Sequence, residues 1–253
     1  MNTHTDIRLS LPSKGRLAEI TADFLTACGL PIDKPNPRQY AASIPVLPGV
    51  TVLFQRPGDI VVSVCEGSVD FGITGLDVTA EHGGEDGLVI LHDALGFGQC
   101  TLAVAVPEEW ETVQAVADLA AYAQTLGRPL RVATKFPNLT AKFLTRAGVA
   151  PFTLIDAEGT LEVAPAIGYA DCISDLVSSG QTLRDNRMRL LCDGSVLRSQ
   201  AALVANREAL RTRPDVLAVA RTLLEFTEAH LRAMGHVMVT ANMRGASDRK
   251  SVV

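Results

Sequence analysis

Two segments of this chain repeat one another in kind and in order, and that recurrence limits the fold more than any other feature. Ile7 to Leu11 reads as a strand, Pro12-Ser13-Lys14-Gly15-Arg16 as a turn, and Leu17 to Cys28 as a helix stopped by Gly29. Leu130 to Thr134, Lys135 to Asn138, and Leu139 to Ala147 before Gly148 follow the same plan. The words themselves recur: Phe24-Leu25-Thr26-Ala27-Cys28-Gly29-Leu30 stands against Phe143-Leu144-Thr145-Arg146-Ala147-Gly148-Val149. A second pair follows, Ser68-Val69-Asp70-Phe71-Gly72-Ile73-Thr74-Gly75-Leu76 against Tyr169-Ala170-Asp171-Cys172-Ile173-Ser174-Asp175-Leu176. Two strand–loop–helix units repeated in series imply two lobes of similar design.

Each lobe alternates strands with helices, which predicts an α/β fold with parallel sheets and flanking helices. Helices are expected over Pro57 to Glu66, Glu111 to Leu126 and Thr160 to Gly168, and a solvated loop over Glu81 to Gly87. Cys100 to Val106, ended by Pro107, is the natural crossover strand, and Ala201 to Ala205 returns to the first lobe. The first lobe is therefore assigned residues 1–98 and 190–212, and the second 99–189. Residues 213–253 begin with a long helix after Pro214, marked by Val216, Ala220, Leu223, Leu224, Thr227 and Leu231. A strand from His236 to Asn242 then has nothing following it to pair with, so it is expected to pair within the chain or on a partner. A homo-oligomer is the expectation.

At 253 residues, 47% hydrophobic and 20% charged, the chain is long enough for such a pair of lobes. A net charge of −5 with scattered Lys and Arg argues against a nucleic-acid face while leaving room for a local anion pocket. Neither a secretory leader nor an apolar run of roughly 20 residues is visible, so no membrane is expected. Five widely spaced cysteines without a Cys-x-x-Cys pair read as free thiols of a cytoplasmic protein.

The chemistry points to Asp171 through Thr182. Ser178-Ser179-Gly180-Gln181-Thr182 is a small-residue turn whose backbone N–H groups suit a phosphate. Asp171 and Asp175 precede it, and if the strand ends between them both face one ligand, as partners for sugar hydroxyls or for hydrated Mg²⁺. Phosphate beside polyol describes a phosphoribosyl group. Ligands of parallel sheets sit beyond the carboxyl ends of the strands. The loops at those ends deliver Lys14, Arg16, Arg56, Gly75 and Asp77 from the first lobe, and Thr134, Lys135 and Asn138 from the second.

Lys14-Gly15-Arg16-Leu17, Val69 to Asp77, Arg131 to Thr140, and Glu162-Val163-Ala164-Pro165 through Leu183 together resemble the ATP phosphoribosyltransferases, which open histidine biosynthesis. The resemblance runs from about Ile7 to about Asn206 and implies the two-lobed fold of type II periplasmic binding proteins. It further implies Mg²⁺-dependent attack of the adenine N1 of ATP on C1 of phosphoribosyl pyrophosphate (PRPP). Under it, Ser178 to Thr182 hold the 5-phosphate and Asp171 and Asp175 face the ribose. Lys14, Arg16, Arg56 and Lys135, with Gly75, Asp77, Thr134 and Asn138, serve ATP and pyrophosphate, and Arg56, Lys14 and Asp175 are the catalytic candidates. Long members of that family carry a histidine-binding regulatory domain and short ones borrow a regulatory subunit. Val237 to Arg244 resembles the start of such a domain while Asp248 to Val253 does not continue the pattern, so a separate regulatory subunit stays open. A non-catalytic two-lobed sensor of a phosphorylated metabolite is the rival reading.

Overall fold

The computed structural model describes residues 6–34, 36, 39, 41–83, 87–157 and 159–234, with Arg16 described by its backbone alone. The first lobe opens with β1 (Ile7–Pro12), α1 (Arg16–Ala27), β2 (Ala41–Ser43), β3 (Val50–Gln55), α2 (Pro57–Cys65), β4 (Phe71–Gly75), α3 (Leu76–His82) and β5 (Leu88–His92). Pro57 starts α2 at the position where a missing N–H costs nothing. The second lobe comprises β6 (Cys100–Pro107), α4 (Val116–Thr125), β7 (Leu130–Thr134), α5 (Pro137–Arg146), β8 (Phe152–Asp156), β9 (Cys172–Val177), α6 (Gln181–Asp185) and β10 (Met188–Ser199). The chain then returns through β11 (Ala201–Asn206) and finishes with α7 (Arg207–Thr212) and α8 (Pro214–Met234).

Six strands form one sheet in the order β2-β3-β1-β4-β11-β5, and five form the other in the order β10-β6-β9-β7-β8. The repeat is now visible as architecture: β3, β1 and β4 run parallel in the first sheet, as β8, β7 and β9 do in the second. Both sheets are mixed rather than wholly parallel. β2 and β11 run against the others in the first, and β6 alone does so in the second, pairing antiparallel with both β9 and β10. The boundary expected at residue 190 needs correction, because it falls inside β10, which pairs with β6 from Met188↔Pro107 to Ser199↔Cys100. The crossing back to the first sheet comes only after Ser199.

Each sheet is covered on both faces by apolar side chains, as parallel layers require. Leu9, Leu25, Phe71 and Leu203 share one core of the first lobe, and Ile60, Val64 and Val204 fill the opposite face. Burying a side chain such as Phe71 contributes about 1.5–3 kcal/mol. α8 does not stand apart. Its stripe of Val216, Ala220, Leu223 and Thr227 is buried, and the first three join the core with Phe24 and Leu25.

Three local expectations change. The helix expected from Glu111 starts at Val116, because the Asp118 carboxylate accepts the Gln114 and Ala115 N–H groups and caps it there. The segment from Thr160 shortens to a single 3₁₀ turn, Leu161–Val163, ahead of Pro165, which has no N–H to continue it. Glu81 and His82 lie in α3 rather than in a solvated loop. The strand expected over 236–242 lies outside the described residues.

Candidate active site

The carboxyl ends of β1, β3 and β4 and those of β7 and β9 open onto one cleft between the lobes. A cavity of about 410 Å³ sits there, walled by Leu17, Ile20, Val78, Phe136 and Leu176, with Asp77 and Ser178 among its polar groups. A smaller pocket of about 150 Å³ adjoins it, lined by Glu162, Asp175 and the turn residues Ser178, Ser179, Gly180 and Thr182. Leu176 and Ser178 border both, so occupants of the two would lie side by side. A third, open recess continues from Gln99, Cys100 and Ser178 to the exposed guanidinium of Arg198.

The turn has the backbone expected of it. β9 ends at Val177, Gly180 adopts φ 70° and ψ 8°, and α6 starts at Gln181. Glycine takes that left-handed conformation without the Cβ penalty other residues incur. Ser179 Oγ accepts the Gln181 N–H at 3.3 Å, and the side chain of Gln181 turns away to Asp185 and Arg184. Among the described residues no protein acceptor takes the N–H groups of Ser179, Gly180 or Thr182.

Asp175 lies inside β9, half-buried and against the turn. Burial pushes its carboxyl above the ordinary range, and the nearby Glu162 carboxylate adds to that; the Leu176 N–H, at 2.8 Å, and the Lys135 ammonium oppose it. Lys135 is thus near enough to Asp175 to influence its charge. Glu162 lies in a stretch that carries the family resemblance, yet nothing in its spacing marks it as a ligand.

Asp171 is not brought to this site, and the expectation that it flanks the ribose is corrected. β9 does not break between the two aspartates. Six extended residues, roughly 20 Å, separate Asp171 from the turn. Its carboxylate accepts Arg128 Nη1 at 2.6 Å, Arg131 Nη2 at 2.8 Å and the Arg131 main-chain N–H at 2.8 Å. Burial alone would raise its carboxyl, but these donors outweigh burial and hold it well below the usual carboxylate range.

Several other candidates already serve the fold. Asp77 is buried and accepts the Ser199 hydroxyl while its own N–H returns to Ser199 Oγ at 2.9 Å. Gly75 permits this, since a Cβ there would lie 2.2 Å from Asp77 Oδ1. Thr134 is buried, its hydroxyl 3.2 Å from that of Thr140, which in turn donates to Ser174 at 3.0 Å. Asn138 is engaged through both its N–H and its side chain by Glu81. Lys14 and Lys135 are exposed on the loops after β1 and β7, Arg56 is exposed at the start of α2, and Arg16 opens α1. Arg198, missed in the sequence, comes to the cleft only because β10 ends beside the crossing strands.

The ATP phosphoribosyltransferase family model matches residues 56–228. A curated relative from Arabidopsis thaliana, ATP phosphoribosyltransferase 2, chloroplastic, is 49% identical over 94% of this chain and 59% of its own length. An ATP phosphoribosyltransferase of Rhodopseudomonas palustris strain HaA2 is 37% identical over 95% of this chain and 75% of its own. The chain thus spans about three-fifths of the length of the Arabidopsis relatives it matches. Among solved structures, the ATP phosphoribosyl transferase (HisG:HisZ) complex of Thermotoga maritima superposes with a TM-score of 0.67 at 23% identity, over 89% of this chain and 98% of the other. The glutamate-bound ligand-binding core of GluR0 superposes at 0.50 and 11%, over 91% and 100%. These neighbours place the fold among the two-lobed, type II periplasmic-binding-protein-like architectures. No helix among the described residues is long and apolar enough to cross a membrane. On the matched residues and the identities of its relatives, the chain belongs to the ATP phosphoribosyltransferase family.

Proposed function

We propose that this chain transfers the phosphoribosyl group of PRPP to the adenine N1 of ATP and releases pyrophosphate, the first step of histidine biosynthesis. The observation that carries the reading is the convergence of Glu162, Asp175 and the Ser178–Thr182 turn on a small pocket that shares a wall with a larger apolar cavity. The turn receives the 5-phosphate, the two carboxylates face the ribose, and the purine lies between Leu17, Val78, Phe136 and Leu176. Adenine N1 then bonds to C1 as the C1–oxygen bond breaks, and pyrophosphate leaves with the bonding pair.

Little acid–base apparatus is required. Positive charge develops on the ribose near Asp175, and negative charge on the departing oxygen, where Lys135, Lys14 and Arg56 are the available cations, while Arg198 faces the terminal phosphates of ATP. Holding two polyanions in line supplies about 7–11 kcal/mol in favourable cases. A divalent metal fits Glu162 and Asp175, whose mutual repulsion a cation relieves, and Mg²⁺ suits one or two carboxylates completed by substrate phosphates. When bound, it supplies charge neutralisation of the pyrophosphate.

The Thermotoga neighbour is solved as a HisG:HisZ complex, which supports a separate regulatory chain here; the homo-oligomer rests on the sequence pattern alone. The five free cysteines suit a reducing compartment such as the cytoplasm. A non-catalytic sensor is the second reading, favoured by the fold shared with the GluR0 ligand-binding core. Incubation with ATP, PRPP, Mg²⁺ and a pyrophosphatase, followed by ultraviolet absorbance, distinguishes them. Product formation supports the transferase; tight PRPP binding without turnover supports the sensor.

A further inference from the structure

Glu81 is a buried carboxylate, 5% exposed, near the end of α3 in the first lobe, and its partners lie in the second. Its Oε1 accepts the Asn138 N–H at 2.8 Å and its Oε2 the Leu139 N–H at 3.0 Å, while its main-chain oxygen accepts Asn138 Nδ2 at 3.2 Å. Among the described residues no cation pairs with it. Its charge is met by two amides and the positive end of α5, a charge-assisted arrangement stronger than a neutral hydrogen bond. Asp77 lies four residues earlier on the same helix face and bonds Ser199, beside the crossing to β11. One face of α3 is therefore fixed at the crossing by Asp77 and reaches across the cleft, about one turn further on, with Glu81.

From this geometry we infer that Glu81 is a positioning residue that latches the lobes. It grips the start of α5 at Asn138 and Leu139, three and four residues after Lys135, and so fixes both the cleft width and the distance from the Lys135 loop to the first lobe. The backbone amides of α5 are consequently occupied from within the chain, which removes them from polyanion binding. Movement of the lobes about the two crossings, 93–99 and Ser199–Ala201, requires Glu81 to leave α5 or to carry it along.

The test has a ligand-free part and a kinetic part, of which only the second rests on the reaction proposed above. Spin labels on the exposed native Cys192 and on Arg211→Cys, with Cys65 and Cys100 replaced by serine, report the separation of the lobes. In Glu81→Gln the distance distribution broadens and lengthens, and the Asn138 and Leu139 amides exchange with solvent about tenfold faster. Kinetically, KM for both substrates rises about tenfold while kcat stays within about twofold, because a bound ligand pair restores closure; each tenfold step corresponds to about 1.4 kcal/mol. A merely structural defect instead lowers the active fraction, reducing kcat at unchanged KM. An unaltered distance distribution in Glu81→Gln overturns the latch. A distance change in Glu81→Gln, combined with a wild-type protein that gives no turnover, leaves the latch standing and removes the transferase.

Discussion

Asp70 and Asp171 occupy the same station in the two lobes: each accepts, at 2.8 Å, the main-chain N–H of an arginine on the neighbouring parallel strand, Arg8 for one and Arg131 for the other. Each also donates its own N–H back to that arginine's carbonyl, at 3.1 and 2.8 Å. A further arginine from elsewhere, Arg213 or Arg128, closes the carboxylate. The repeated aspartate is thus a joint between strands. Asp171→Asn should cost roughly 1–3 kcal/mol of stability, discounted for the half-exposed arginines, with little change in KM. Because the folded carboxyl is held below its unfolded value of about 3.9, the stabilisation is complete above that pH and is lost as pH falls through the folded value. Urea unfolding at pH 7, 4 and 3 should show the margin of wild type over the variant shrinking. A constant margin would contradict the account.

Asp175 behaves oppositely. Burial raises its carboxyl, so the ionised form costs stability above the folded value, and that cost disappears below the unfolded one. Asp175→Asn should be at least as stable as wild type at pH 8, with the difference closing as pH falls towards 4. Its kcat should drop about a hundredfold. Parallel thermal melts and steady-state rates check this, and matched losses of activity and stability would make Asp175 structural.

Gly180 joins β9 to α6 at φ 70°, where a Cβ would also meet Arg184 Nη1 at 3.3 Å. Gly180→Ala should lower stability by about 1–2 kcal/mol and weaken PRPP affinity at least about tenfold, read by calorimetric titration. Unchanged affinity removes the turn from the site.

Arg198 is exposed at the rim of the recess behind Ser178. Arg198→Ala should raise the Kd for ATP about tenfold, as expected for one charge-assisted contact, and leave that for AMP nearly unchanged. Equal effects on both nucleotides would place Arg198 away from the terminal phosphates.

The two-lobed plan is legible in the chain because strand, turn and helix recur with the same words, and the turn is legible because serine and glycine cluster after a strand. The role of Asp171 is not legible: spacing alone cannot say whether β9 continues, and its continuation puts the two aspartates at different stations. Glu162 and Arg198 are single residues whose spacing marks no site, and they join it because the 3₁₀ turn Leu161–Val163 and β10 fold onto the cleft. Glu81 is hidden for a related reason, since the glycines after it suggest a loop while its partners lie more than fifty residues away.

Diffraction from crystals soaked with PRPP locates the phosphoribosyl group. The 5-phosphate is expected against the amides of Ser179, Gly180 and Thr182, with the ribose towards Asp175 and Glu162 and its C1 facing the larger cavity. A phosphoribosyl group bound elsewhere, with this turn empty, would contradict it.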